Sequence, residues 1–317
     1  MRNDGEKLNL EPKDGILSYF FSLFATLLLS IPVGLIPAGN TQTLLNYFVT
    51  QLGFLIVPFI YLARRKISPL DAIPIKSKVK VIPLLLVIPI SIGAFLQNTI
   101  LSVLFNNLLE IVGITPSVNI PSTEGVGNAI LAIVAVCLLP ALAEEFLFRG
   151  VMLTSYRKKG LMPAMLLISL TFALSHFNPA QLVHQAILGF LLAYVTIVSG
   201  SIWYGVLIHL LNNLIALFLG DVIPAFNDLY NLNTTNILIL LAMCVVGIII
   251  LSLSLVAFYK TSVKEDLKVE NPFHILSKKK APSWWNGEKM KDPMTIGTLV
   301  FMVVMGILST FAQLIEF

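Results

Sequence analysis

The chain reads as an all-α, polytopic helical membrane protein of about eight to nine transmembrane helices, and three observations predict this. Only 12% of its 317 residues are charged, against about 25% in a soluble domain, too few to coat a water-facing surface. Hydrophobic residues make up 56%, in uncharged runs near the roughly 20 residues a helix needs to cross a bilayer. All 21 Lys and Arg fall in four stretches, 1 to 15, 64 to 80, 149 to 160 and 260 to 294, while the alternate connections have none.

The apolar runs place helices at about 16 to 37, 43 to 63, 81 to 105, 127 to 148, 161 to 175, 181 to 199, 201 to 219, 237 to 259 and 295 to 315. The first follows a polar, mixed-charge segment and, at about 22 residues, exceeds a signal-peptide core, so it reads as an uncleaved span. Pro32, Pro58, Pro83, Pro89 and Pro140 lie within spans, where each removes a backbone donor and can bend its helix. Asn178-Pro179 stops one helix, and the Ser199-Gly200-Ser201 turn separates the next two. If the four cationic stretches face the cytoplasm, Glu110, Glu124, Asp221, Asp228 and Glu316 lie on the other side without Lys or Arg, as the positive-inside rule asks. The amino terminus is then cytoplasmic and the protein an integral, multi-pass one, expected in the plasma membrane.

The net charge of +4 and pI near 9.0 do not point to nucleic acid, because the cations sit beside apolar spans, where they set orientation. Cys137 and Cys244 lie inside apolar runs and read as small buried side chains, not as a disulfide framework or metal cage. The simplest division gives N-terminal transmembrane helices over 1–125, a chemistry-bearing segment over 126–220, and C-terminal helices over 221–317 with the basic loop 260–294. Trp284 and Trp285 after Lys278, Lys279 and Lys280 suit a headgroup layer. The plainer reading of that loop is a solvated linker.

Leu161 to Gly220 has no charged residue, yet holds His176, His184 and His209, and Glu144-Glu145-Phe-Leu-Phe-Arg149 stands just before it. Each ionisable group at a helix centre costs about 2.5–3.5 kcal/mol on insertion scales, so three together call for pairing or use. Glu145 and Arg149 share a helix face at i,i+4 with the acid first, the favourable order for an ion pair. Glu144 projects about 100° away, without a partner in its own helix and suited to general-base work. Measured from the bend at Arg157, Lys158 and Lys159, Glu144 and His176 lie about 22 and 26 Å along an antiparallel hairpin, at similar height. Asn213 stands one turn beyond His209 on the same face, and Phe172 one turn before His176. A carboxylate with two imidazoles fits either a water-activating acid/base site or a zinc-type site of two His and one carboxylate, which would be Glu144, His176 and His209. His184 reads as a hydrogen-bonded packing residue and His274 as solvated.

Glu144-Glu145-xxx-Arg149, Phe172-xxx-His176 and His209-xxx-Asn213, in that order on a polytopic chain, resemble the CPBP (Abi) family of intramembrane proteases. That family comprises type 2 CAAX prenyl endopeptidases and bacterial proteins associated with bacteriocin processing or self-immunity. The resemblance covers about residues 125 to 220. It implies that Glu144 activates water with help from His176, that His209 and Asn213 stabilise the oxyanion, and that Glu145, Arg149 and Phe172 support them. It further implies a water-accessible cavity open toward the cytoplasmic leaflet and a membrane-associated protein or peptide as substrate; it leaves a divalent metal such as zinc open, and the reading preferred here is a metal-free glutamate mechanism.

Other proteases fit less well: no HExxH occurs, Gly220-Asp221 lacks the preceding glycine of a GxGD site, and Ser199-Gly200 is a weak echo of a serine site. A transporter should show repeat symmetry, which is not evident. The stronger competitor is a non-catalytic membrane scaffold or self-immunity protein of the same fold.

Overall fold

A computed structural model describes residues 10–75, 78–114, 118–222, 228–262, 300 and 303–304. The main helices are α1 (Pro12–Gly34), α2 (Asn40–Arg64), α3 (Val81–Ile111), α4 (Val126–Tyr156), α5 (Leu161–Leu174), α6 (Leu182–Ser199), α7 (Ile202–Val222) and α8 (Thr234–Ser262). Among the described residues there is no strand. Seven of these helices, one extended back to Pro179, are long and apolar enough to cross a membrane, whereas α5 has only 14 residues. The ninth candidate span, 295 to 315, and the basic loop lie almost wholly outside the described residues.

Helix α1 begins earlier than its apolar run, at Pro12, and buries Asp14 completely. The burial is compensated because Tyr61 Oη donates to Asp14 Oδ1 at 2.9 Å and Arg65 Nε pairs with the same oxygen at 3.1 Å, tying α1 to the end of α2. Helix α3 continues past residue 105 to Ile111. It packs against α8 with the two backbones in contact: a Cβ at Gly93 would come 2.7 Å from Leu251 N, and one at Gly247 2.5 Å from Gln97 N. Small residues permit such close helix crossings where lipid offers no hydrophobic drive for association.

Helix α4 lies at the centre, touching α1, α2, α5, α6 and α7. Two wide π-helical turns interrupt it, Ile133–Leu138 and Glu145–Met152, with Pro140 between them. Wide turns of this kind change the direction of side chains relative to a regular helix and recur at functional positions. Every residue from Glu145 to Met152 is buried, and Leu147, Phe148 and Met152 join Tyr19, Phe172, Leu192 and Ile208 in one apolar core. Leu28, Leu85, Leu238 and Leu253 lie on the outside, where acyl chains cover them. This apolar centre is the setting into which α4 brings two carboxylates and a guanidinium.

Candidate active site

Glu144, Glu145 and Arg149 are each 5% exposed or less. Arg149 Nη1 donates to Glu145 Oε1 at 2.8 Å, the pairing expected from their spacing, and Nη2 donates to the Gly189 carbonyl of α6 at 3.1 Å. The guanidinium lies over the Phe172 ring, 4.4 Å from its centroid, a favourable cation–π contact in a desolvated place. Phe172 also meets the rings of His176 and His209 edge-on, at 5.0 and 5.9 Å. Supporting residues thus surround the two imidazoles with packed aromatic and charged groups.

His209 of α7 faces both glutamates. Its Nδ1 is 3.0 Å from Glu145 Oε1 and its Nε2 is 3.8 Å from Glu144 Oε2. A carboxylate paired with a guanidinium only accepts, so Nδ1 carries the proton and the Nε2 side is left for chemistry. Glu144 is held on its other side by Gln51 of α2, whose Nε2 donates to Oε1 at 2.9 Å. Its Oε2 has no hydrogen-bond partner among the described residues and is buried.

His176 lies at the end of α5, and its Nδ1 bonds the Phe172 carbonyl at 2.9 Å. A carbonyl cannot donate, so Nδ1 carries hydrogen and the lone pair of the neutral ring sits on Nε2. No direct ion pair joins His176 to Glu144 among the described residues, and the imidazole nearest Glu144 is that of His209. Asn213 Nδ2 donates to the Val136 carbonyl at 2.9 Å. Pro140, four residues on from Val136, has no N–H to offer that carbonyl, so the amide of Asn213 satisfies a group the proline releases.

Three contributors lay outside the motifs. Gln51 is an amide in the middle of an apolar run, a signal of the same kind as an intramembrane charge, though weaker. Gly189 gives Arg149 its carbonyl. Gly205 leaves room for Glu145, since a Cβ there would sit 3.0 Å from Glu145 Oε2; nothing in the sequence distinguishes it from other helix glycines. His184 is hydrogen-bonded as expected, its Nδ1 3.0 Å from Asn98 Nδ2.

A zinc ion would need three or four ligands converging at about 2.0–2.1 Å. Among the described residues no three His, Cys, Asp or Glu side chains are so grouped. The Nδ1 contacts, His209 to Glu145 and His176 to the backbone, leave both Nε2 atoms and Glu144 Oε2 as the donors that would hold such an ion.

Fold and site together define a multi-pass helical membrane protein with a buried carboxylate–imidazole centre. Residues 126–215 match the family described as type II CAAX prenyl endopeptidase, Rce1-like, a family of proteases. The matched segment holds all three motifs, and the match bears out the resemblance to the CPBP and CAAX proteases. No curated protein and no solved structure shows a significant match to the chain.

Proposed function

We propose that the protein is an intramembrane endopeptidase that hydrolyses a peptide bond of a membrane-associated protein or peptide through water activated by Glu144. The observation that carries this reading is the unpartnered Glu144 Oε2, buried and 3.8 Å from His209 Nε2. A water about 2.8 Å from both atoms, off the line joining them, gives its proton to Glu144 as its oxygen attacks the scissile carbonyl carbon. The oxyanion role requires a hydrogen on both nitrogens of His209 in the transition state. With Nδ1–H held by Glu145, that imidazolium offers Nε2–H to the developing oxyanion. Collapse of the tetrahedral intermediate breaks the C–N bond, and the proton taken by Glu144 passes to the leaving nitrogen. His176 assists at the water through the Nε2 lone pair, and Asn213 contributes its remaining amide hydrogen to the oxyanion. The cationic stretches support a cytoplasmic amino terminus, and the plasma membrane is the bilayer proposed for it.

The test is mass spectrometry of protein termini in membranes from cells carrying wild type or equally expressed Glu144→Gln. New termini that depend on Glu144 are expected and name substrates directly. Identical termini, in cells where Glu144→Gln preserves the protein's phenotype, would refute proteolysis in favour of the scaffold or self-immunity role.

A further inference from the structure

Helix α3 carries a ridge of polar residues at i,i+4 steps: Asn98, Ser102, Asn106 and Glu110. At 1.5 Å per residue it extends about 18 Å. Asn98 is 3% exposed and donates to His184 Nδ1 and to the His184 carbonyl, at 3.0 and 3.1 Å. Asn98 Oδ1, Ser102 Oγ, Asn106 Oδ1 and, from α6, Gln185 Oε1 are buried and without a hydrogen-bond partner among the described residues. Three orphaned polar groups on one face of α3, Asn98, Ser102 and Asn106, are costly in a membrane interior, at about 1–3 kcal/mol each. Water is what normally satisfies buried groups of this kind.

The ridge connects two places. At the far end of α3 from Lys80, a cavity of about 230 Å³ is lined by Asn106, Asn107, Glu110, Val118, Ala180 and Tyr230. At the near end, Asn98 is bonded to His184 of α6, the helix whose Gly189 carbonyl takes Arg149 of the active centre. Ala180 stands four residues after His176 and four before His184, so the turn that presents His176 also borders the cavity. We propose that this seam is a water path feeding the active centre from the membrane face opposite the cationic stretches. Its use as a supply rests on the hydrolytic reading; its hydration does not.

The experiment uses the full-length protein in sealed vesicles and a charged, membrane-impermeant methanethiosulfonate, which reacts only with thiols that water can reach. Ser102→Cys differs from serine by one atom and is compared with Leu104→Cys on the lipid-facing side of α3, with Cys137 and Cys244 of wild type as background. Modification of Ser102→Cys, added from the Glu110 side, should be at least about tenfold faster than that of Leu104→Cys. Equal rates overturn the path, whatever becomes of the protease reading, because the readout needs no substrate. Once modified, Ser102→Cys should lose at least about tenfold of its Glu144-dependent cleavage; undiminished cleavage overturns the supply role.

Discussion

Replacing Arg149 by Met tests whether charge holds Glu145 and, through it, His209. Arg149 is fully buried, pairs with Glu145 at 2.8 Å, donates to Gly189 at 3.1 Å and stacks on Phe172 at 4.4 Å. Removing one member of a buried pair strands the other charge and costs about 3–5 kcal/mol. The lost donor to Gly189 adds roughly 1 kcal/mol and the lost ring contact about 0.5–2 kcal/mol. Methionine packs well in the space and offsets part of this, so the expected loss is about 4 kcal/mol. Adding Glu145→Gln removes the stranded charge, and the double variant should regain about 2 kcal/mol relative to Arg149→Met alone. Arg149→Lys keeps the charge without the planar fork and should fall between, near 2 kcal/mol. Reversible unfolding in mixed micelles, followed by near-UV circular dichroism, measures all four proteins. An Arg149→Met protein within about 1 kcal/mol of wild type, or a double variant no more stable than the single, would refute the argument that an uncompensated buried carboxylate is the dominant loss.

Other outcomes follow from the same geometry. Gly247→Leu forces a side chain onto the backbone of α3 at Gln97 and should destabilise by about 3 kcal/mol or more, whereas Ile249→Leu on the outer face of α8 should change stability by less than about 0.5 kcal/mol; equal effects would show that α3 and α8 do not cross there. Gly205→Val presses on Glu145 Oε2 and should reduce Glu144-dependent cleavage about 100-fold by displacing the carboxylate that fixes His209. Unaltered cleavage in a folded Gly205→Val protein would separate Glu145 from the chemistry. Elemental analysis of purified protein should find no stoichiometric zinc, and phenanthroline should leave cleavage intact; one zinc per chain that is lost in His176→Ala and His209→Ala would overturn the metal-free mechanism.

The pairing of Glu145 with Arg149 was legible because it depends on helix periodicity alone. The close approach of His209 Nε2 to Glu144, at 3.8 Å, was not. Positions along a hairpin give depth, but the direction in which a side chain points depends on helix rotation, and the π turn at Glu145–Met152 departs from the regular 100° step. His176 turned back to the Phe172 carbonyl, a local bond that no spacing announces. The full length of α3 is hidden in the sequence for a different reason: Asn106, Asn107 and Glu110 look like loop residues when polarity is taken to mean water outside the membrane. In the fold they continue a helix, with Asn106 part of an internal polar seam. Gln51 and Asn98 stand out little in the sequence because a neutral amide is a weaker signal than a charge, although each contacts a site-bearing helix.

Helix α5, which ends just before His176, has 14 residues and is therefore about 21 Å long, some 9 Å less than the hydrocarbon thickness of a typical bilayer. Its outer face, with Leu166 and Leu170 exposed, suits lipid, and a helix too short to cross is met either by a thinner bilayer or by an end set inside the protein. Where the bilayer meets that end, acyl-chain length bears on the turn that carries His176, so membranes of different thickness would load the same set of side chains differently.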